Sequence, residues 1–143
     1  MKRLVLALMV IGTMAFIGCS KDDDSNDIIG DVIGKWEPVE YTVNSIQQNL
    51  YGGEFLELKA DNTFLERIYY EGNKYFYAVG KWIQTNGKLD IVYDDERTYE
   101  LYPNQGYINF VSFSYTISSL SNTKMVLKGE MLGFDGIMTY EKM

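Results

Sequence analysis

From residue 34 onward the chain alternates apolar and polar positions, and the runs are separated at short intervals by clusters of Gly, Asn, Asp and Ser. Residues 34–42 read as a first strand. Residues 54–59 and 63–71 form a hairpin around Ala60-Asp61-Asn62, and residues 74–84 and 88–93 form another around Thr85-Asn86-Gly87, where Asn and Gly tolerate positive φ. A charged tip, Asp94-Asp95-Glu96, leads to a short strand over 97–102, and a break at Pro103-Asn104-Gln105-Gly106 precedes a long strand over 107–118. Strands over 124–131 and 137–141 complete the series. Residues 44–51 are polar and fit a loop or a short helix, and residues 28–33 fit a short helical turn that plugs the first strand or leads into it. Neighbouring strands joined so tightly pair antiparallel, and closure removes the sheet's edges. The expected fold is therefore all-β, an antiparallel up-and-down β-barrel of about eight strands. A two-sheet sandwich is the alternative, and it needs longer crossovers.

The first 18 residues follow a different pattern. Lys2 and Arg3 precede an apolar run, residues 4–17, that is short for a membrane span and ends at Gly18-Cys19. These residues resemble the bacterial lipobox, with Phe16 where Leu is usual. The resemblance implies a signal peptide over 1–18, with Cys19 as the acylated (palmitate-bearing) N-terminus of a lipoprotein. Several acyl chains anchor a protein durably where one does so only marginally. The lone Cys is consistent with this, since a free thiol on a secreted chain is reactive unless modified. Residues 19–27, which include Lys21-Asp22-Asp23-Asp24, form an acidic flexible tether before the barrel domain at 28–143. The acidic run also resembles the surface-export signal of Bacteroidota lipoproteins. That resemblance implies an outer-membrane location exposed at the cell surface.

Composition narrows the chemistry. The chain carries 13 basic and 20 acidic residues. Loss of Lys2 and Arg3 would leave 11 basic against the same 20 acidic, a net charge of −9 that argues against nucleic acid as a partner. There is no His, which removes Ser-His-Asp and Cys-His catalysis and imidazole metal sites, and no phosphate-cradling Gly-rich loop occurs. Neither a cofactor nor a metal is expected. The acidic runs at 22–24 and 94–96 lack the spacing of a defined calcium loop and read as solvated charge. Glu57 and Glu66, on neighbouring strands, are the candidate carboxylate pair for glycoside chemistry, and they fit equally well as surface residues. The overall expectation is a binding protein, not an enzyme.

Gly34-Lys35-Trp36, the hairpin Phe55-Leu56-Glu57-Leu58-Lys59-Ala60-Asp61-Asn62-Thr63-Phe64, Gly80-Lys81-Trp82 with Gly87-Lys88-Leu89-Asp90-Ile91, and the closing Met138-Thr139-Tyr140-Glu141-Lys142 occur in an order similar to the lipocalin-like domain of Bacteroidota lipoproteins. That resemblance implies a small calycin-type barrel held outside the cytoplasm, and a function in binding.

Twelve Tyr, seven Phe and two Trp are a heavy aromatic load for one small domain. The alternation puts Phe76, Ala78, Gly80 and Trp82 on the inner face with Leu89, Ile91 and Tyr93. Tyr75, Tyr77, Val79 and Lys81 then lie on the outer face. Trp36 and Trp82 have two readings, as packing at a barrel end beside a strand-bending Gly or as aromatic platforms for a ligand. Trp36, Trp82, Phe76, Tyr93 and Tyr115 are the candidate ligand-binding residues. The partners these imply are a small hydrophobic molecule in or at the mouth of the barrel, a membrane through acylated Cys19, or, if the barrel is filled, a surface protein or glycan. Bulky inward residues, including Phe76 and Tyr115, predict an interior too full for a large ligand. An exposed aromatic stripe is expected from Tyr69, Tyr70, Tyr75, Tyr77, Phe110, Val111, Phe113 and Tyr115.

Overall fold

The computed structural model describes residues 31–143 apart from 71, 73 and 132, so the expected signal peptide over 1–18, Cys19 and the expected tether over 19–27 lie outside the described residues. Nine strands follow one another in the order β1 Gly34–Val43, β2 Ile46–Gln47, β3 Phe55–Leu58, β4 Thr63–Tyr70, β5 Lys74–Thr85, β6 Lys88–Tyr93, β7 Phe113–Leu120, β8 Lys124–Met131 and β9 Phe134–Lys142. Every pairing is antiparallel between neighbours, and β1 also pairs with β9, which closes the sheet. The two-residue β2 only folds back on the end of β1. Eight strands therefore make the barrel wall, as the alternation predicts.

The hairpin chemistry works as its residues suggest. The β5–β6 turn has Asn86 at φ 49° and Gly87 at φ 74°, the two left-handed residues that match the twist of paired strands. At the β3–β4 turn the Asp61 carboxylate accepts from the Thr63 amide at 3.0 Å and its hydroxyl at 2.6 Å, while Asn62 takes positive φ.

Three stretches depart from expectation. Residues 97–102 are not a strand: α1, Asp95–Leu101, occupies them, followed by a 3₁₀ turn at Pro103–Gln105. Asp94 caps this helix by accepting from the Arg97 amide at 2.9 Å, and Asp95 and Glu96 in the first turn complement the helix dipole. Strand β7 begins at Phe113 rather than at 107, since residues 106–112 form no regular element. The stretch expected as loop or short helix instead contains β2, turned by Asn44 and Ser45, both at positive φ.

The helix has a structural task. Strand β6 ends its pairing with β5 at Gly80, which leaves the amides and carbonyls of Tyr77 and Val79 on an open edge. The Gln105 side-chain amide accepts from Tyr77 N at 2.9 Å and donates to Tyr77 O at 2.7 Å, while Thr98 Oγ1 accepts from Val79 N at 3.0 Å and Asp94 N donates to Val79 O at 2.9 Å. Side chains and one amide thus replace a missing strand.

The core fills one end of the barrel. Trp36, Leu58, Phe64, Leu89, Ile117, Met125 and Leu127 are buried there around Val32, which inserts from the chain just before β1. Of the expected helical turn, the described residues 31–33 are not helical, yet Val32 does plug the barrel end. Its carbonyl accepts the Trp36 indole N–H at 2.7 Å, and the Trp82 indole N–H donates to Lys59 O at 3.0 Å.

Candidate functional site

Inward-facing positions change character along each strand. On β4 they run Phe64, Glu66, Ile68; on β6 they run Leu89, Ile91, Tyr93; on β7, Ile117, Tyr115, Phe113. Beyond the packed end these side chains surround a cavity of about 320 Å³, which reaches the opposite end of the barrel and is completed by Tyr41, Met138 and Tyr140 from β1 and β9. Its size lies at the lower limit for small-molecule sites.

Glu66 stands on the cavity wall. The Tyr93 hydroxyl donates to its Oε2 at 2.6 Å, and among the described residues Oε1 has no donor. The carboxyl is enclosed by protein but keeps accessible surface, and that surface faces the cavity. Removal from water pushes its pKa up to about 7; the Tyr93 hydrogen bond opposes the rise and the nearby Glu54 charge adds to it. Burial likewise holds the Tyr93, Tyr115 and Tyr140 hydroxyls protonated, with the Glu66 charge as a second cause for each.

Aromatic side chains make up much of the rest of the wall. Phe110 stacks on Tyr93 with centroids 5.0 Å apart and planes at 17°, and Phe113 meets Tyr93 edge-on at 6.4 Å. Phe110 is held there by its amide, which donates to the Asp95 carboxylate at 3.1 Å. The run 94–96, read from sequence as solvated charge, thus caps a helix and seats a cavity ring. At the rim, Glu54 Oε1 accepts from Tyr69 N at 2.9 Å and Tyr51 stacks on Tyr69 at 3.9 Å. Arg67 is the one basic residue among those lining the cavity, and its guanidinium lies over the rings of Phe55 and Tyr75, with its Nε–H on the Gly53 carbonyl.

Of the five residues proposed from sequence, the structure brings Tyr93 and Tyr115 together on the cavity wall. Trp36 and Trp82 are buried at the packed end, 0% and 6% exposed, and line no part of the cavity, so packing is their role. Phe76 is half-buried opposite the inward-facing Ile68, and it belongs to a separate groove of about 550 Å³, with Tyr70, Tyr77 and Tyr102, where β5 runs on past β6. The interior is packed at one end and open at the other. The aromatic stripe is also divided: Phe110, Phe113 and Tyr115 line the cavity, Tyr77 is stacked on Tyr102 at 4.8 Å, and Tyr70 and Val111 remain exposed. Glu57 and Glu66 do not form a pair. Glu57 is opposite Leu65 and Glu66 opposite Leu56 in adjacent register positions, so the two carboxylates point to opposite faces of the sheet.

Sequence reasoning missed Glu54, Tyr41 and Tyr140 as cavity residues, and took Glu66 for half of a different pair. The register was the available signal for Glu66: a carboxylate in phase with Phe64 and Ile68 is an inward charge in an apolar row.

No protein-family model matches the chain, and no curated protein matches it. Among solved structures the chain is similar to a lipocalin-like protein from Bacteroides uniformis ATCC 8492, with a TM-score of 0.59 and 16% identity over 80% of this chain and 100% of that one. It is also similar to an uncharacterized protein from Bacteroides eggerthii DSM 20697, with a TM-score of 0.56 and 19% identity over 79% of this chain and 100% of that one. At these identities the likeness carries the fold, a closed antiparallel barrel of lipocalin-like form.

Proposed function

We propose that this protein is a non-catalytic binding protein that takes one small, mainly apolar molecule into the open half of its barrel. The observation that carries this reading is the cavity of about 320 Å³ beside a fully packed core. Native packing leaves few voids larger than a water molecule, so a space of this size lined largely by aromatic side chains is built to be occupied. The rival reading, a surface contact module for protein or glycan, presupposed a filled barrel, and half of this barrel is not filled. Support for binding rather than catalysis comes from the lack of His and from the opposite facing of Glu57 and Glu66. We also place the domain at the outer face of the outer membrane, held through acylated Cys19 and the acidic tether. That placement rests on the sequence of residues 1–27 alone.

The test is native mass spectrometry of the protein purified from its own host, beside a variant in which Met138→Trp fills the cavity. A retained small molecule in the natural protein and none in the variant is the expected result. Equal, empty masses in both, with no thermal response of the natural protein to any apolar compound, would overturn the reading.

A further inference from the structure

The cavity wall is chemically one-sided. Glu66 and Glu54 both line it, and the single basic side chain on its lining, Arg67, has its guanidinium engaged by the Phe55 and Tyr75 rings and by Gly53 O. Much of the remaining lining is aromatic, Tyr93 from β6, Tyr115 from β7, Tyr140 from β9 and Tyr41 from β1, with Phe110 stacked on Tyr93 and Phe113 beside it, and Ile68 and Met138 add apolar surface. Glu66 Oε1 has no donor among the described residues, and its side chain reaches the cavity from inside the protein. A carboxylate with one hydroxyl donor, set near a second carboxylate and among aromatic side chains, lacks one thing, a positive charge. Ring quadrupoles and a carboxylate both attract an ammonium, and they do so most strongly where water is excluded.

We propose that the ligand of this cavity is a small organic cation, an ammonium group seated against Glu66 within the ring of Tyr41, Tyr93, Tyr115 and Tyr140, with its apolar part lying against Phe110 and Phe113. The proposal rests on the binding reading above and specifies its ligand class. The net negative charge of the whole chain favours the approach of such a ligand. An acidic ligand would be repelled by the ionised Glu66, and a neutral one would leave its charge uncompensated.

This assignment has a pH signature. Glu66 titrates near 7, and Glu54, Tyr93, Tyr115 and Tyr140 act on it or are acted on by its charge, while Tyr41 and Arg67 also line the cavity; the raised pKa values of the four tyrosines keep them neutral through this range. A cation of fixed charge binds the ionised carboxylate, which rises from about one-tenth to about nine-tenths of the population between pH 6 and pH 8. Affinity should therefore rise up to about tenfold over that interval.

Phenyltrimethylammonium and its uncharged isostere tert-butylbenzene test this by calorimetric titration of the full chain. The cation should bind at least tenfold more tightly than the isostere at pH 8, with the preference shrinking toward pH 6. In Glu66→Gln the preference and its pH dependence should both disappear, while binding of the isostere persists. Equal or tighter binding of the isostere, or affinity that falls as pH rises, would overturn the cation proposal and leave the apolar-ligand reading standing. A cation preference unaltered in Glu66→Gln would overturn it too. Failure of both probes to bind, with Met138→Trp indistinguishable from the natural protein, would count against the cavity itself as a site.

Discussion

The two ends of the barrel share the same strands but are built from different chemistry. The end around Trp36 and Val32 is apolar and filled, and its two indole N–H groups are satisfied by backbone carbonyls. The other end has tyrosines and a carboxyl where the first has leucines, and it encloses empty space. Packing apolar surface stabilises a fold, whereas enclosing Glu66 with one hydrogen bond and no counter-charge among the described residues opposes it. One end carries the stability that lets the other be unfavourable. Marginal stability permits such an arrangement only when the packed end is strong.

The largest expected effect follows from removing the anchor of the packed end. Trp36 is wholly buried and its N–H holds the Val32 plug, so Trp36→Ala should lose about 3–5 kcal/mol. Chemical denaturation should show this as a lower midpoint, and in the folded fraction the affinity for a cavity ligand should be unchanged. A Trp36→Ala protein of normal stability but with lost binding would erase the division between the two ends.

That division was only partly legible in the chain. The strands and their hairpins could be read because period-two alternation and Asn-Gly or Asp-Asn turns are local signals, and Leu89 and Ile91 were placed inside for that reason. The helix over Asp95–Leu101 was hidden because seven residues give too few turns for a helical period, while Thr98, Tyr99 and Tyr102 suit a strand. The Asp94 cap was its one local marker. Which inward ring faces a void and which fills one depends on contacts between strands far apart in sequence. Tyr115 and Trp82 are both inward aromatics, and alternation alone could not show that one lines a cavity and the other seals an end.

The second prediction concerns the open end and its pH response. The folded chain keeps the Glu66 proton up to about pH 7, whereas the ordinary value is 4.5, so the folded state binds more protons than the unfolded one between those limits. Stability from this group is therefore fully present below about 4.5 and is lost as pH rises to 7 and above. This is the opposite of the behaviour of a salt-bridged carboxylate. The raised pKa corresponds to a loss of about 3 kcal/mol, using 1.36 kcal/mol per pKa unit. Glu66→Gln should match the natural protein near pH 4.5 and exceed it by about that amount at pH 8. Urea denaturation at the two pH values measures the difference. A constant offset between the two proteins at both pH values would mean that Glu66 is not the desolvated group the cavity implies.

The smallest effect tests how Glu66 is held. The Tyr93 hydroxyl is its only donor among the described residues, and a hydrogen bond to an ionised carboxylate is worth about 1 kcal/mol more than one to its neutral form. Tyr93→Phe keeps the ring that stacks on Phe110 and removes that preference, so the Glu66 titration should move upward from about 7 by somewhat under one pH unit. Carbon-13 chemical shifts of the labelled side-chain carboxyl would follow the titration directly. Binding of a fixed-charge cation should then need a correspondingly higher pH, although the cavity walls are otherwise intact. A Glu66 midpoint that falls in Tyr93→Phe would show that water entering the vacated space hydrates the carboxylate better than the phenol did. The open end would then be wet, and the contrast with the packed end sharper than the protein contacts alone make it.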